Sequence, residues 1–255
     1  MQIHILASGS TGNAVFIEMG GRKILIDAGI SARRIEQGLG AVGADPSQLD
    51  VVLITHEHID HIRGLDVLVR RYKMPVYTRP ATWDKIPCRE KLPRECCREL
   101  RAGLNMGALK IEAFGISHDA ADPVGFSLLQ GETKTVLATD LGKITPVVET
   151  ALAYADHLIL EANHDPIMLR EGPYPSYLKQ RISGPQGHLS NQEAGRVLAR
   201  VPHKGVMHVF LAHLSQHNNL PHLALGTVNG ILQQQGCDDI LVRRTYPAST
   251  ASLVG

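Results

Sequence analysis

Residues 51–64 read VVLITHEHIDHIRG. Val51 to Ile54 is a short apolar run rich in β-branched residues, the pattern of a buried strand. His56, His58, Asp60 and His61 follow at once, at the spacing H-x-H-x-D-H. Extended backbone from His56 to His58 turns both imidazoles to one side, because strand side chains alternate. A turn and a new helix near Asp60 would swing Asp60 and His61 toward a second point close by. That arrangement suits two adjacent metal ions better than one. The plainer reading, a polar loop with accidental histidines, offers no cause for so many metal-preferring groups at one strand end.

This motif behind an apolar strand resembles the signature of the metallo-β-lactamase superfamily of hydrolases. LASGSTGNAVFIE (6–18) and ILIDAG (24–29) resemble that superfamily's opening. TDLG (139–142), LEANHD (160–165), GHLSN (187–191) and LAHLSQHNN (211–219) together resemble its bacterial YycJ/WalJ branch, a group of nuclease-like enzymes. The resemblance spans nearly the whole chain.

Composition sets the bounds. The chain has 255 residues, 44% of them hydrophobic, enough for a full core. We expect a single domain over 1–255. Net charge is +1, so no global basicity announces a polyanionic partner; attraction to phosphate must be local or come from metals. The 13 histidines are the compositional oddity. Cys88, Cys96, Cys97 and Cys237 form no C-x-x-C pair and read as reduced thiols of a cytoplasmic protein. The first residues lack a basic start and a long apolar core, so no signal peptide is expected. No apolar run approaches the ~18 residues that a membrane span needs.

The chain then reads in order. Gln2 to Ala7, Ala14 to Glu18 and Lys23 to Ile26 are strands. The loop Ser8 to Asn13 between the first two is either a plain hairpin turn or a lining of the cleft, with Ser10 and Asn13 as substrate contacts. Ser31 caps a helix to about Leu39. Gly64 to Tyr72 is a helix, and Met74 to Tyr77 a strand. Over 79–107 the character changes: Arg79, Lys85, Arg89, Lys91, Arg94, Arg98 and Arg101 stand against Asp84, Glu90, Glu95 and Glu99, around the lone Trp83. This is either a solvated face with ion pairs or a basic rim along a phosphate backbone. Leu109 to Phe114 is a strand leading to His118, and Gly125 to Gln130 with Thr133 to Thr139 is a hairpin leading to Asp140. Pro146 to Tyr154 is helical, and His157 to Ala162 is a strand. Glu161 stands at the strand end, where it could lie behind the ligands. His164 is a wall of the site, an occasional ligand or structural. Gly172, Pro173 and Pro175 make 168–178 a broken helix or loop. Ser190 and Glu193 form an S-x-x-E capping box for a helix to about Ala199, and His188 sits just outside its amino terminus, where anions are favoured. Val206 to Ala212 is the last strong apolar strand, with His213 at its end. Asn218-Asn219 is a turn, or bonds a phosphate or base edge. His222 to Gln235 is helical, Ile240 to Arg244 is a strand, and 247–255 looks like a frayed tail.

Strand–helix alternation alone gives an α/β class. The resemblance implies a four-layer αββα sandwich with ligands at strand ends. It implies one metal site of His56, His58, His118 and Asp140, and a second of Asp60, His61, His213 and the bridging Asp140. Asp27 would lie behind the ligands and orient them. Two divalent ions, Zn²⁺ or Mn²⁺ with Fe²⁺ also suited, would activate a bridging hydroxide. Asp60 and His188 are the catalytic candidates, with His188 contacting the scissile phosphate. The implied activity is a 5′-to-3′ exonuclease on DNA, with no membrane partner; the alternative is a small-molecule phosphodiester, thioester or lactone hydrolase. The resemblance also implies an acidic residue just before the Asn pair. His217 stands there instead, which leaves that position unexplained.

Overall fold

A computed structural model of the chain describes residues 1–246 and 249–254. These divide into two compact units. The first comprises Met1–Ala113, Ala120–Pro123 and the described residues from 249 onward; the second comprises Phe114–Asp119 and the chain from Val124 to Tyr246.

The first unit opens with β1 (Gln2–Ala7), β2 (Ala14–Met19) and β3 (Arg22–Ile26), an antiparallel meander. Helix α1 (Ala32–Ala41) follows, its first turn closed by Ser31, whose hydroxyl accepts from the Arg34 amide. Then come β4 (Val51–Leu53), the single turn α2 (Ile59–Ile62), α3 (Leu65–Tyr72) and β5 (Val76–Thr78). Helix α4 (Pro80–Lys85) and β6 (Cys97–Glu99) occupy the segment whose character changes. The hairpin β7 (Gly103–Met106) and β8 (Leu109–Gly115) ends it. Strands β3, β4, β5 and β6 run parallel. One face of this sheet packs Phe16, Leu25, Val52 and Ile54 against Ile35 and Leu39 of α1, Leu65, Leu68 and Val69 of α3, and Trp83 of α4. The alternate residues Ile3, Ile17, Ile24, Val51 and Leu53 are buried as well, so the strands read as continuous apolar runs.

Trp83 is 1% exposed and donates its indole N–H to the Arg98 carbonyl, so it is a core anchor. Around it Arg89 pairs with Asp84 and Arg101 with Glu99, each at 2.6 Å. The basic residues of this segment are thus partly spent on local surface pairs, the solvated-face reading.

The second unit repeats the plan. Strands β9 (Val124–Gln130) and β10 (Thr133–Ala138) form an antiparallel hairpin. Helix α5 (Pro146–Leu152), β11 (His157–Glu161), α6 (Pro166–Glu171), α7 (Ser176–Ser183), α8 (Asn191–Arg200), β12 (Met207–Ala212), α9 (Pro221–Gln234) and β13 (Ile240–Arg244) follow. Strands β10 to β13 are parallel. Val136, Leu158, Leu160, Val209 and Leu211 pack against Val148, Leu152, Val197, Leu198, Val228 and Leu232 of the helices.

The 168–178 stretch is a broken helix, as its glycine and prolines lead one to expect: Asp165 caps α6 through the Ile167 and Met168 amides, Pro166 takes its first turn, and Gly172 and Pro175 mark the break between α6 and α7. One expectation is corrected. The tail is not frayed over Ala251–Val254, which forms β14 antiparallel to β1 and returns to the first unit's sheet edge. Pro247, Ala248 and Gly255 lie outside the described residues. Among the described residues no helix is long and apolar enough to cross a membrane.

His157 and His208 face each other in register across β11 and β12, their rings stacked at 5.7 Å. Burial, and then the neighbouring His208, push His157 down from 6.5 to about 4. The folded state therefore holds His157 neutral while the unfolded chain takes up a proton as pH drops below 6.5. Stability is complete above that value and is lost as pH falls toward 4. We expect His157→Gln to show a shallower loss of urea midpoint over this window; a slope equal to wild type would remove His157 from the acid response.

Candidate metal centre

Although His118 follows β8, antiparallel to β7, and His188 lies between α7 and α8, most of the candidate ligands in both units stand where parallel strands end at their carboxyl side. Open α/β sheets collect ligands there, because helices lead away and loops gather. Three candidates adopt left-handed backbone at that point: Asp27 after β3, Asp140 after β10 and His213 after β12, with φ of 61°, 61° and 55°. Such backbone is costly for a residue with a Cβ and persists only where its surroundings hold it.

In the first unit the scaffold is Asp27. Its carboxylate accepts from the Thr55 amide (2.9 Å) and hydroxyl (2.9 Å) and lies 2.7 Å from His61 Nδ1. The Thr55 hydroxyl, having given its proton to Asp27, lies 3.0 Å from His56 Nδ1. Each of these rings thus has Nδ1 tied back and Nε2 turned away from the scaffold. The rings of His56 and His58 meet edge-on at 4.5 Å, and those of His56 and His61 lie 4.1 Å apart. Asp60 Oδ2 is 3.5 Å from His61 Nε2. Asn13 belongs here too: its Oδ1 accepts from the Gly9 amide, and its Nδ2 lies 3.1 Å from His61 Nε2. Backbone bonds brace the loop, with the Asn13 amide on Asp60 O and the Ala28 amide on His61 O. Gly29 permits this approach, since a Cβ there would sit 1.6 Å from Asp60 O. Ser10 is exposed on the same loop.

In the second unit the scaffold is Glu161, at the end of β11 and fully buried. One oxygen lies 2.9 Å from His188 Nδ1 and 2.8 Å from His213 Nδ1; the other accepts from the Leu141 (2.6 Å) and Leu189 (3.0 Å) amides. Burial alone would raise its pKa, but His188 and His213 outweigh this and hold it well below the usual carboxylate range. His118 Nδ1 lies 3.2 Å from the Gly187 carbonyl, and its Nε2 is 3.7 Å from Asp140 Oδ1. Burial lowers the His118 pKa, which keeps the ring neutral. Asp140 Oδ1 is also 3.5 Å from His213 Nδ1 and 3.8 Å from His188 Nδ1. Asp140, Glu161, His188 and His213 each place a donor atom within 4.8 Å of the others, a spacing that can hold a cation. Imidazoles held at Nδ1, mixed with carboxylates and no thiolate, fit a divalent ion of the zinc or manganese kind.

The remaining candidates separate. His164 is buried, bridges Ser190 through its backbone, and has Nδ1 without a hydrogen-bond partner among the described residues; burial lowers its pKa. It lines a cleft of about 240 Å³ with Leu169, Arg170, Lys179 and Gln180. Asn218 and Asn219 are buried. The Asn219 amide nitrogen donates to the carbonyls of Ala162 and Asn163, and its oxygen accepts from Asn191 Nδ2 and the Leu220 amide, so its capacity is spent on the scaffold. Ser190 and Glu193 complete the capping box in both directions. Two residues escaped the sequence reading: Thr55, the hydroxyl between Asp27 and His56, and Asn163, whose Nδ2 donates to the His213 carbonyl at 2.8 Å. Thr55 was signalled only by standing between the strand and the first histidine.

Residues 22–213 match a family model described as a β-lactamase superfamily domain. The chain is 37% identical over 235 residues to the exodeoxyribonuclease WalJ of Streptococcus pneumoniae serotype 2 (strain D39), covering 90% of this chain and 87% of that protein. It is 35% identical over 243 residues to the exodeoxyribonuclease YycJ of Bacillus anthracis, covering 92% and 90%. Among solved structures, the metallo-β-lactamase fold protein YhfI of Bacillus subtilis superposes with a TM-score of 0.73 at 16% identity, over 98% of each chain. That likeness shows the fold, the αββα type expected above.

The Glu161 network generates a direct test. Glu161→Ala would strand the Leu141 and Leu189 amides and release the His188 and His213 rings, at about 1–3 kcal/mol for each unsatisfied buried group. We expect a fall in Tm of roughly 10 °C or more, at ~2–4 °C per kcal/mol for a chain of this size. A Tm within ~2 °C of wild type would show that the network carries little stability.

Proposed function

The chain belongs to the metallo-β-lactamase superfamily of metal-dependent hydrolases, and on that premise we propose that it is a nuclease, a 5′-to-3′ exonuclease of DNA that works with two divalent ions. The observation that carries this reading is the likeness to two exodeoxyribonucleases along nearly their whole length. The donor chemistry supports it. His56, His58, Asp60 and His61 are the proposed ligands of the first unit and His118, Asp140 and His213 those of the second; these residues would hold the ions. Zinc or manganese suits this set best, iron less so. Such ions supply Lewis acidity: they lower the pKa of water and neutralise charge that builds on phosphoryl oxygens.

The chain's own residues do the rest. Thr55, Asp27, Gly187 and Glu161 take the Nδ1 side of His56, His61, His118 and His213, so that Nε2 is the nitrogen offered. His188 is held the same way but is 20% exposed at its side chain, whereas His213 is 2% exposed. It is the ring in this group with access to a substrate. With Nδ1–H on Glu161, His188 donates from Nε2 in its doubly protonated form: the imidazolium bonds the scissile phosphate, gives its Nε2 proton to the leaving oxygen and is left as the neutral ring, with Nδ1–H still on Glu161. His164, Ser10 and Asn13 are proposed to line the path of the strand. The near-neutral charge of the chain leaves phosphate attraction to this locality.

The test is digestion of end-labelled duplex DNA and of its RNA counterpart with Mn²⁺. We expect early release of the 5′-terminal nucleotide from DNA, abolished in Asp60→Ala. In His188→Ala we expect kcat to fall by roughly 10²–10⁴ with metal content unchanged. No cleavage of either polymer, with turnover of a small phosphodiester or a thioester instead, would replace this reading with a small-molecule hydrolase.

A further inference from the structure

The second unit carries a cleft beside His188 that the account above does not use. It encloses about 210 Å³ and is lined by Tyr174, Leu178, Arg181, Gly187, His188 and Asp119, among others. Tyr174 lies in the short connection between α6 and α7, half-buried and outside the core cluster of the unit. Its ring meets that of the exposed His217 at 5.7 Å with a tilt of 59°. Arg181 is paired to Asp119, with Nε and Nη2 each 2.6 Å from its Oδ2. The wall is therefore an aromatic ring backed by an imidazole, a guanidinium paired to a carboxylate and a leucine, and one side of the cleft is the proposed proton donor.

Such a wall suits a flat, uncharged ring system. Aromatic rings and guanidinium planes stack on any nucleobase, because every base presents a π-face. The volume admits one base. We propose that this cleft takes a single unpaired nucleobase of a DNA strand, with Tyr174 and His217 as the stacking platform and the adjoining phosphodiester presented to His188. This rests on the nuclease reading and specifies its substrate as a strand end whose terminal base has left its partner. It also gives a role to His217, the position at which the chain departs from the branch pattern. Stacking on the ring faces and on Leu178 carries no base preference of its own, because every base has a π-face. Freeing a paired base costs a few kcal/mol, so frayed or single-stranded ends are cut faster than blunt ones.

The test uses oligonucleotides carrying 2-aminopurine at the 5′ or the 3′ terminus, whose fluorescence is quenched on stacking. Wild type should quench one terminus on binding, Tyr174→Ala should not, and Tyr174→Trp should restore quenching. In Tyr174→Ala, KM for the single strand should rise roughly tenfold while kcat holds, matching the loss of one base–aromatic stack. The preference for a normal over an abasic terminal nucleotide should collapse with it. His217→Ala, at an exposed position, should move both readouts the same way and serves if Tyr174→Ala loses the fold. Exonuclease activity with unaltered quenching and an unaltered abasic ratio in these variants would overturn the stacking site and leave the nuclease reading intact. Absence of DNA cleavage by wild type would overturn both.

Discussion

One buried carboxylate organises the second unit. Glu161 takes two imidazole N–H groups on one oxygen and two backbone amides on the other. A carboxylate without solvent is tolerable only when its lone pairs are met this fully. Meeting them draws together the ends of three segments: Leu141 follows Asp140, Leu189 follows His188, and His213 closes β12. The placement of the candidate donors is thus a consequence of satisfying Glu161. Asp27 does the same in the first unit through the Thr55 amide, the Thr55 hydroxyl and His61. Each scaffold engages the Nδ1 side of its rings, and this selects the tautomer that presents Nε2.

The backbone shows a cost of the same arrangement. Asp27, Asp140 and His213 all stand in left-handed conformation one or two residues past a parallel strand. The chain must turn sharply there to aim a side chain across the strand ends instead of continuing along them. Each such residue costs of order 1–3 kcal/mol, which the packed sheets and the carboxylate networks offset. A glycine would relieve the strain and remove the donor, so stability and chemistry pull against each other at these positions.

Much of this was legible from residues alone. H-x-H-x-D-H after an apolar β-branched run located a strand end crowded with donors, and Ser190 with Glu193 announced the start of α8. What escaped shares one physical cause: it depends on neighbours distant in the chain. β14 pairs with β1 across the full length of the protein, and ASLV carries no local signal of that pairing. Thr55 and Asn163 look like loop polars until Asp27 and His213 arrive beside them. Asn219 reads as a turn or a ligand contact, but its partners are the Ala162 and Asn163 carbonyls some fifty-odd residues earlier. Gly172, Pro173 and Pro175 were seen as breakers, whereas Asp165 and Pro166 had already supplied the cap and first turn of α6. The pairing of Tyr174 with His217 is likewise a tertiary event.

The proposed chemistry requires that rings tied at Nδ1 hold divalent ions through Nε2 and that Asp140 adds an anionic oxygen. The most direct measurement is the metal content of purified, dialysed protein by mass spectrometry, beside Asp140→Asn. Asparagine accepts left-handed backbone readily, so this variant keeps the fold while losing that anionic oxygen. Two divalent ions per chain in the wild type, and one or none in Asp140→Asn at an unchanged circular dichroism spectrum, is the predicted result. A wild type that binds no divalent ion, or a variant that retains both, would contradict it.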